Sequence, residues 1–427
     1  MNKILFIPFN SREIAQFSFV VPELKKYQFE ILSIALDREK QDLLREKDFY
    51  FKNIQDYKTF NAFEVLKQEK PDLIIIDFCI PILHSFIIAA NHLNIPLLQI
   101  DGGVVTDYSE LKKTSIFQKA FKIFRGLFRL FFSEAKRRNY LFYLFTFFAD
   151  KGVSVSSFKT FVLNIIKFTS PLPEYINGLN IAVMGPFGRD AYIKMGVPPE
   201  KLFITGQPGF DIIWQRKFDK EYIIENLKIP KDKGIVVLAT QPLAGYLWEK
   251  KDWENFVRVV IDAMDKFPKK QLVIKLHPDE KIEEYQKLLS KLKYEKAVIC
   301  QNIDLYELLS ASDLLLTVCS TVGLEAMLFD KPVITVNLTG KPDLFPYAES
   351  GAALGVYKEK DLVPTIKNAL YNQEVGKKLA KARKKFIYEQ AYIQDGKASE
   401  RVANLILHLI GKKINKNSNK KNIEIEQ

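Results

Sequence analysis

Two short runs in the second half of this 427-residue chain carry the residue types that handle phosphate. Ile274-Lys-Leu-His277-Pro-Asp ends an apolar strand on a histidine. An imidazole placed there can donate to a phosphate oxygen or protonate a leaving phosphate. Asp313-Leu-Leu-Leu-Thr-Val is a second buried strand, and Cys319-Ser-Thr-Val-Gly-Leu-Glu-Ala-Met-Leu-Phe follows it as a helix. Ser320 and Thr321 then fall at a helix N-terminus, where unpaired backbone N–H groups and the helix dipole favour an anion. Glu325, one turn further on, is spaced to accept hydrogen bonds from ribose hydroxyls. An ordinary Ser/Thr cap followed by a solvated glutamate has the same spacing. What adds weight is His277, which ends a neighbouring strand at the same edge. His84 and His92 sit on a crossover helix and His408 on the last helix, and all three read as structural.

The elements that must position these residues alternate along the whole chain, short apolar strand against helical pattern, as in parallel sheets. Lys3–Pro8, Phe29–Ala35, 71–77 and 95–100 read as strands of a first domain. Their carboxyl ends carry Asn10-Ser-Arg12, Asp77 and Asp101-Gly-Gly, at the edge where open α/β sheets bind ligands. After Pro230 a second series begins, with strands near Gly234–Ala239, Gln271–Leu276, Ala297–Cys300, Asp313–Val318 and Pro332–Val336. The expected fold class is α/β, two Rossmann-like doubly wound domains facing a cleft. The expected boundaries are a first domain over 1–215, a linker over 216–233, a second domain over 234–395, a terminal helix over 396–411 and a disordered tail over 412–427.

A basic-aromatic helical segment over 115–149 interrupts the alternation. Phe117, Phe121, Phe124 and Phe128 recur at helical spacing beside Lys122, Arg125 and Arg129. That combination suits a helix lying in a membrane interface against anionic headgroups; packing of the phenylalanines on the domain core would give the same stripe. The formal charge of +12 resides partly here and partly in the Lys/Asn-rich tail. No nucleic-acid motif accompanies it, so nucleic acid is not expected as a partner. No run is long and apolar enough to span a bilayer, and no signal peptide is visible. Cys79, Cys300 and Cys319 are scattered in or beside apolar runs, without metal-ligand spacing, which predicts reduced thiols. A cytoplasmic setting is expected, peripheral on the inner face of the membrane if 115–149 docks there.

Residues 180–345 resemble the two-domain glycosyltransferases of the GT-B fold. The nearest types are the capsule, sialyl- and polysialyltransferases, the CDP-glycerol glycerophosphotransferases, and the related UDP-N-acetylglucosamine 2-epimerase. The resemblance is carried by Met195-Gly-Val-Pro, Phe203-Ile-Thr-Gly-Gln-Pro-Gly-Phe-Asp211, Lys275-Leu-His-Pro, Ala311-Ser-Asp-Leu, Ser320-Thr-Val-Gly-Leu-Glu-Ala and Asp330-Lys-Pro-Val. It implies that His277, Ser320 and Thr321 hold the donor phosphate and that Glu325 holds the ribose. The epimerase signatures Gly-Thr-Arg-Pro-Glu and His-Arg-Arg-Glu-Asn are replaced here by Pro8-Phe-Asn-Ser-Arg-Glu and Thr240-Gln-Pro-Leu-Ala-Gly245. On those residues transfer is favoured over epimerisation.

The expected function is therefore metal-independent, inverting transfer of a sugar from a nucleotide-activated donor to a surface-glycan or lipid-linked acceptor, with no cofactor beyond the donor. Asp101 is the expected base for the acceptor hydroxyl, with Asp77 and Glu110 in reserve, although Asp-Gly-Gly is also a strong turn signal. His277 with the Ser320/Thr321 helix end is expected to stabilise the leaving phosphate, assisted by Gln241 and Gly245. Arg12 is placed to meet donor phosphate or an anionic acceptor, and an ordinary surface arginine has the same position. The alternatives are a sugar-nucleotide epimerase and a non-catalytic binder of nucleotide-sugar or lipid.

Overall fold

A computed structural model describes residues 2–77, 81–101, 138, 141–142, 145–146, 149, 178–242 and 249–411. Gly245, Glu110, Cys79, the tail 412–427 and most of 115–149 lie outside those residues. The chain divides into two compact units, Met1–Ile212 with Gln390–Gln427, and Ile213–Glu389.

Unit 1 holds strands β1 (Lys3–Ile7), β2 (Glu30–Ala35), β3 (Phe51–Asn53), β4 (Leu73–Ile76), β5 (Leu97–Ile100), β6 (Asn180–Val183) and β7 (Leu202–Ile204). They pair in the order β3-β2-β1-β4-β5-β6-β7, every pair parallel. Alternation along β1 shows why both faces are covered. Leu5 and Ile7 enter one apolar cluster, with Ile74, Ile76 and the helices Ala62–Glu69 and Pro81–His92. Ile4 and Phe6 enter the other, with Leu73, Ile75 and the helices Ser11–Lys25 and Ala398–Leu409. Period-two side chains on a parallel strand give two buried faces, which is why these strands read as continuous apolar runs.

Unit 2 repeats the plan with β8 (Gly234–Ala239), β9 (Lys270–Lys275), β10 (Val298–Cys300), β11 (Leu314–Thr317), β12 (Val333–Val336) and β13 (Leu354–Val356). Their order is β10-β9-β8-β11-β12-β13, again all parallel. In both sheets the order reverses beside the first strand, between β1 and β4 and between β8 and β11. Those are the topological switch points where open α/β sheets take ligands. The two parallel-sheet units confirm the Rossmann-like α/β class.

Several sequence expectations change in detail. The edge strands β3 and β13 were not foreseen. Segment 216–233, expected as a linker, contains the helix Lys220–Asn226, whose Ile223 and Ile224 are buried in unit 2. The described part of 115–149 has Phe142 at 1% exposure between Phe60 and Phe86, and Thr146 Oγ1 accepting from the Ala62 N–H at 2.9 Å. This stretch of the aromatic run packs on the core, while Leu141 and Phe145 face outward.

The last helix, Ala398–Leu409, is capped from a distance. Asp211, 3% exposed, accepts from the N–H groups of Ala398 (2.9 Å) and Ser399 (2.7 Å), two of the donors that a helix start leaves unpaired. Asp211→Ala is expected to strand both and to lower stability by about 2–3 kcal/mol. Chemical denaturation checks this, and an unchanged midpoint would remove Asp211 from the packing of this helix.

Candidate active site

At the switch point of unit 2, the loops after β8 and β11 are tied together by one side chain. The Gln241 amide donates to the Cys319 carbonyl at 2.9 Å and accepts from the Cys319 N–H at 3.1 Å. Both ends of the amide are thus engaged by the backbone of the turn before Ser320. The helix expected from Cys319 starts later, at Val322–Leu328, with Thr321 at its N-cap. Gln241 engages both Cys319 backbone groups, and the Ser320 hydroxyl accepts from the Val322 N–H at 3.3 Å, so Cys319–Thr321 is held as a turn. The Tyr347 hydroxyl fixes the same turn by donating to the Ser320 carbonyl at 3.0 Å. Gly323 lets the tyrosine approach, since a Cβ there would lie 2.9 Å from the ring. Ser320 is buried, while Thr321 and Glu325 are half-buried.

His277 follows β9 and is 40% exposed at its side chain. Its Nδ1 accepts from the Asp279 N–H at 3.1 Å. In the neutral ring that assignment places the proton on Nε2, leaving an N–H donor for a ligand. Sequence reasoning missed the residues that hold this turn. Glu280 accepts from the His277 N–H (3.0 Å), the Tyr285 hydroxyl (2.8 Å) and the Thr240 hydroxyl. Trp253 Nε1 in turn donates to the Tyr285 oxygen at 2.9 Å. Gln301 donates to the carbonyls of His277 and Glu280, both at 2.8 Å. His-Pro-Asp-Glu280 was visible as a polar run, but its partners Thr240, Tyr285 and Gln301 come from other elements.

Electrostatics separate usable groups from inert ones. Burial pushes the thiols of Cys300 and Cys319 up to about 11, so neither is a thiolate nucleophile at neutral pH. Burial likewise lowers Lys275, with the nearby Glu325 opposing it. Lys275 donates to the Leu276 carbonyl at 3.0 Å and belongs to the frame of the strand end.

Unit 1 brings Asp77 to its switch point, at the end of β4, and buries Asp101 at the end of β5. The Asp101 N–H donates to the Ala182 carbonyl at 2.9 Å, extending the β5–β6 ladder. Arg12 is exposed on the first turn of Ser11–Lys25. The partner of Asp77 is Glu13, which sequence reasoning passed over. Asn10 caps the helix Ser11–Lys25: its Oδ1 accepts from the Glu13 N–H at 3.0 Å, while Glu13 Oε2 accepts from the Phe9 N–H at 2.8 Å. Burial first, and the Asp77 carboxylate second, push Glu13 from the usual 4.5 up to about 8.

Two outcomes are expected. Glu280→Ala leaves three donors without their acceptor, and should cost about 2–3 kcal/mol in denaturant unfolding while weakening any ligand that contacts His277. Because Glu13 is raised in the folded state, its contribution to stability is complete below about 4.5 and lost as pH rises through about 8. The thermal midpoint of the wild type should therefore fall across that window more steeply than that of Glu13→Gln. Parallel curves would show that Glu13 titrates normally.

Comparison with known proteins bears on what these edges serve. The family model for UDP-N-acetylglucosamine 2-epimerase matches residues 187–407, more than half of the chain. A sequence search of curated proteins finds no match. Among solved structures, the S. aureus MnaA–UDP co-structure is similar at a TM-score of 0.61 and 16% identity, covering 97% of this chain and 99% of that one. The UDP-GlcNAc 2-epimerase from Neisseria meningitidis bound to UDP-GlcNAc gives 0.56 and 15%, over 95% and 100%. The wall teichoic acid polymerase TagF gives 0.59 and 13%, over 96% and 89%. The family match supports the epimerase alternative of the sequence reading better than its transferase reading. With its two parallel-sheet units of the GT-B type, the chain belongs to the UDP-N-acetylglucosamine 2-epimerase family.

Proposed function

We propose that this protein is a sugar-nucleotide epimerase acting on a UDP-linked sugar of the UDP-N-acetylglucosamine type. The family match over residues 187–407 carries the reading, because it includes His277, the Ser320–Thr321 turn and Glu325. The structural likeness to MnaA holding UDP and to an epimerase bound to UDP-GlcNAc supports the same nucleotide. In this reading His277 Nε2 and the turn at Ser320 and Thr321 bind phosphate, Glu325 accepts from the ribose, and Gln241 keeps the turn in place. Asp101 is the candidate base of unit 1, and Arg12 and Asp77 serve substrate binding.

A second reading, glycosyl transfer to a glycan or lipid-linked acceptor, is favoured by one observation. Both family signatures at the first strand ends are replaced, by Pro8-Phe-Asn-Ser-Arg-Glu and by Thr240-Gln-Pro-Leu. The likeness to TagF is compatible with it. One experiment separates the two. The purified protein is incubated with UDP-N-acetylglucosamine in heavy water without acceptor, and the sugar is followed by NMR. Epimerisation should produce the C2 epimer with deuterium at C2. An unchanged sugar that is consumed only once a glycan acceptor is added would establish transfer instead. In either case His277→Ala should weaken UDP binding about tenfold or more, the size of a hydrogen bond to a charged group, read as a lost thermal shift. An undiminished shift would remove His277 from the phosphate site.

A further inference from the structure

A small hollow lies under the switch point of unit 1, lined by Glu13, Gln16, Asp77, Gln99 and the flanking apolar residues of β1, β4 and β5. It has room for about one water-sized oxygen. Gln99 lines it at 6% exposure, and its carbonyl oxygen Oε1 is buried without a hydrogen-bond partner. A buried carbonyl of that kind is destabilising unless something donates to it. The carbonyl of Gln16, by contrast, is satisfied by the Gly209 N–H at 3.1 Å.

We propose that Glu13, Asp77 and the open carbonyl of Gln99 form a proton-exchange site that takes one hydroxyl oxygen, of trapped water or of substrate. An O–H seated there donates to Gln99 Oε1 and faces two carboxyl groups that hydrogen-bond to each other. Glu13 is held rigidly by the Phe9 N–H and by the Asn10 amide, which donates at 2.6 Å. The charged groups that act on Glu13 are Asp77, which favours its protonated form, and Lys40, which opposes it weakly. At neutral pH Glu13 keeps its proton beside the Asp77 carboxylate. A proton relayed through the seated hydroxyl adds to Asp77, so the pair holds two protons and no charge. Loss of one proton to solvent restores the starting state. The proposal rests on the epimerase reading only for the source of that proton, which would be the one exchanged at the sugar.

The test uses the full-length protein and three readouts. Infrared spectra at pH 7 should show a protonated carboxyl band that titrates near pH 8 and disappears in Glu13→Gln; an ionised Glu13 at pH 7 overturns the proposal. Gln99→Leu should lower the thermal midpoint, because it strips the bound hydroxyl of its acceptor. A rise would mean a dry packing defect and also overturns the proposal. Deuterium exchange into UDP-N-acetylglucosamine should slow about a hundredfold in Asp77→Asn and in Gln99→Leu. Undiminished exchange would leave the pair outside the reaction. If the wild type exchanges no deuterium at all, the epimerase reading fails, and the first two readouts still decide whether the site exists. Slowed exchange in Asp77→Asn but not in Gln99→Leu would remove Gln99 from the site and overturn the proposal as stated.

Discussion

Parallel strand pairing is the constraint from which the rest follows. A parallel sheet returns the chain through a crossover each time, so in each unit every strand ends at the same edge and leads toward the start of the next helix. That edge concentrates backbone N–H groups, short turns and strand-end side chains. It also creates one place per sheet, beside the first strand, where neighbouring loops diverge. Among the described residues each of those places is chemically furnished, one with Gln241 clasping Cys319 and the other with Glu13 against Asp77.

The fold was legible because its signal is local. Ile235 to Leu238 or Leu314 to Leu316 are buried on both sheet faces, and runs of that kind bounded by polar breaks identify strands without knowledge of their partners. The edge strands β3 and β13 escaped because three residues such as Phe51-Lys-Asn carry no run to recognise. Site residues followed the same division. His277, Ser320 and Asp77 follow strand ends, a position that the sequence alone reveals. Glu280, Gln301, Gln99 and Glu13 were missed, because their meaning lies in contacts made across the fold. Gln301 is 24 residues from the His277 carbonyl it holds. Glu13 resembles any first-turn glutamate until Asp77, more than sixty positions away, is set beside it.

The family match over residues 187–407 includes one of the replaced signatures, at Thr240–Gly245, and leaves out the other, at Pro8–Glu13. The match also includes the edge of unit 2 that carries His277 and the Ser320–Thr321 turn. The replaced signatures lie in the loops after β1 and β8. A superfamily fold hosts several reactions by varying the residues of its site. The network Trp253–Tyr285–Glu280–His277 suits a binding element that must not move, since each member is fixed by another before any ligand arrives.

The remote cap on the last helix has a consequence for how the protein is made. Unit 2 is contiguous in sequence, whereas unit 1 needs both the beginning of the chain and Ala398–Leu409 to complete one face of its sheet. During synthesis unit 2 can therefore close its core while unit 1 still exposes apolar residues such as Phe17, Val20 and Phe203. The nascent first half must wait for the ribosome to deliver its final helix. That delay makes unit 1 the natural client of a chaperone and the region where a premature stop would do most damage.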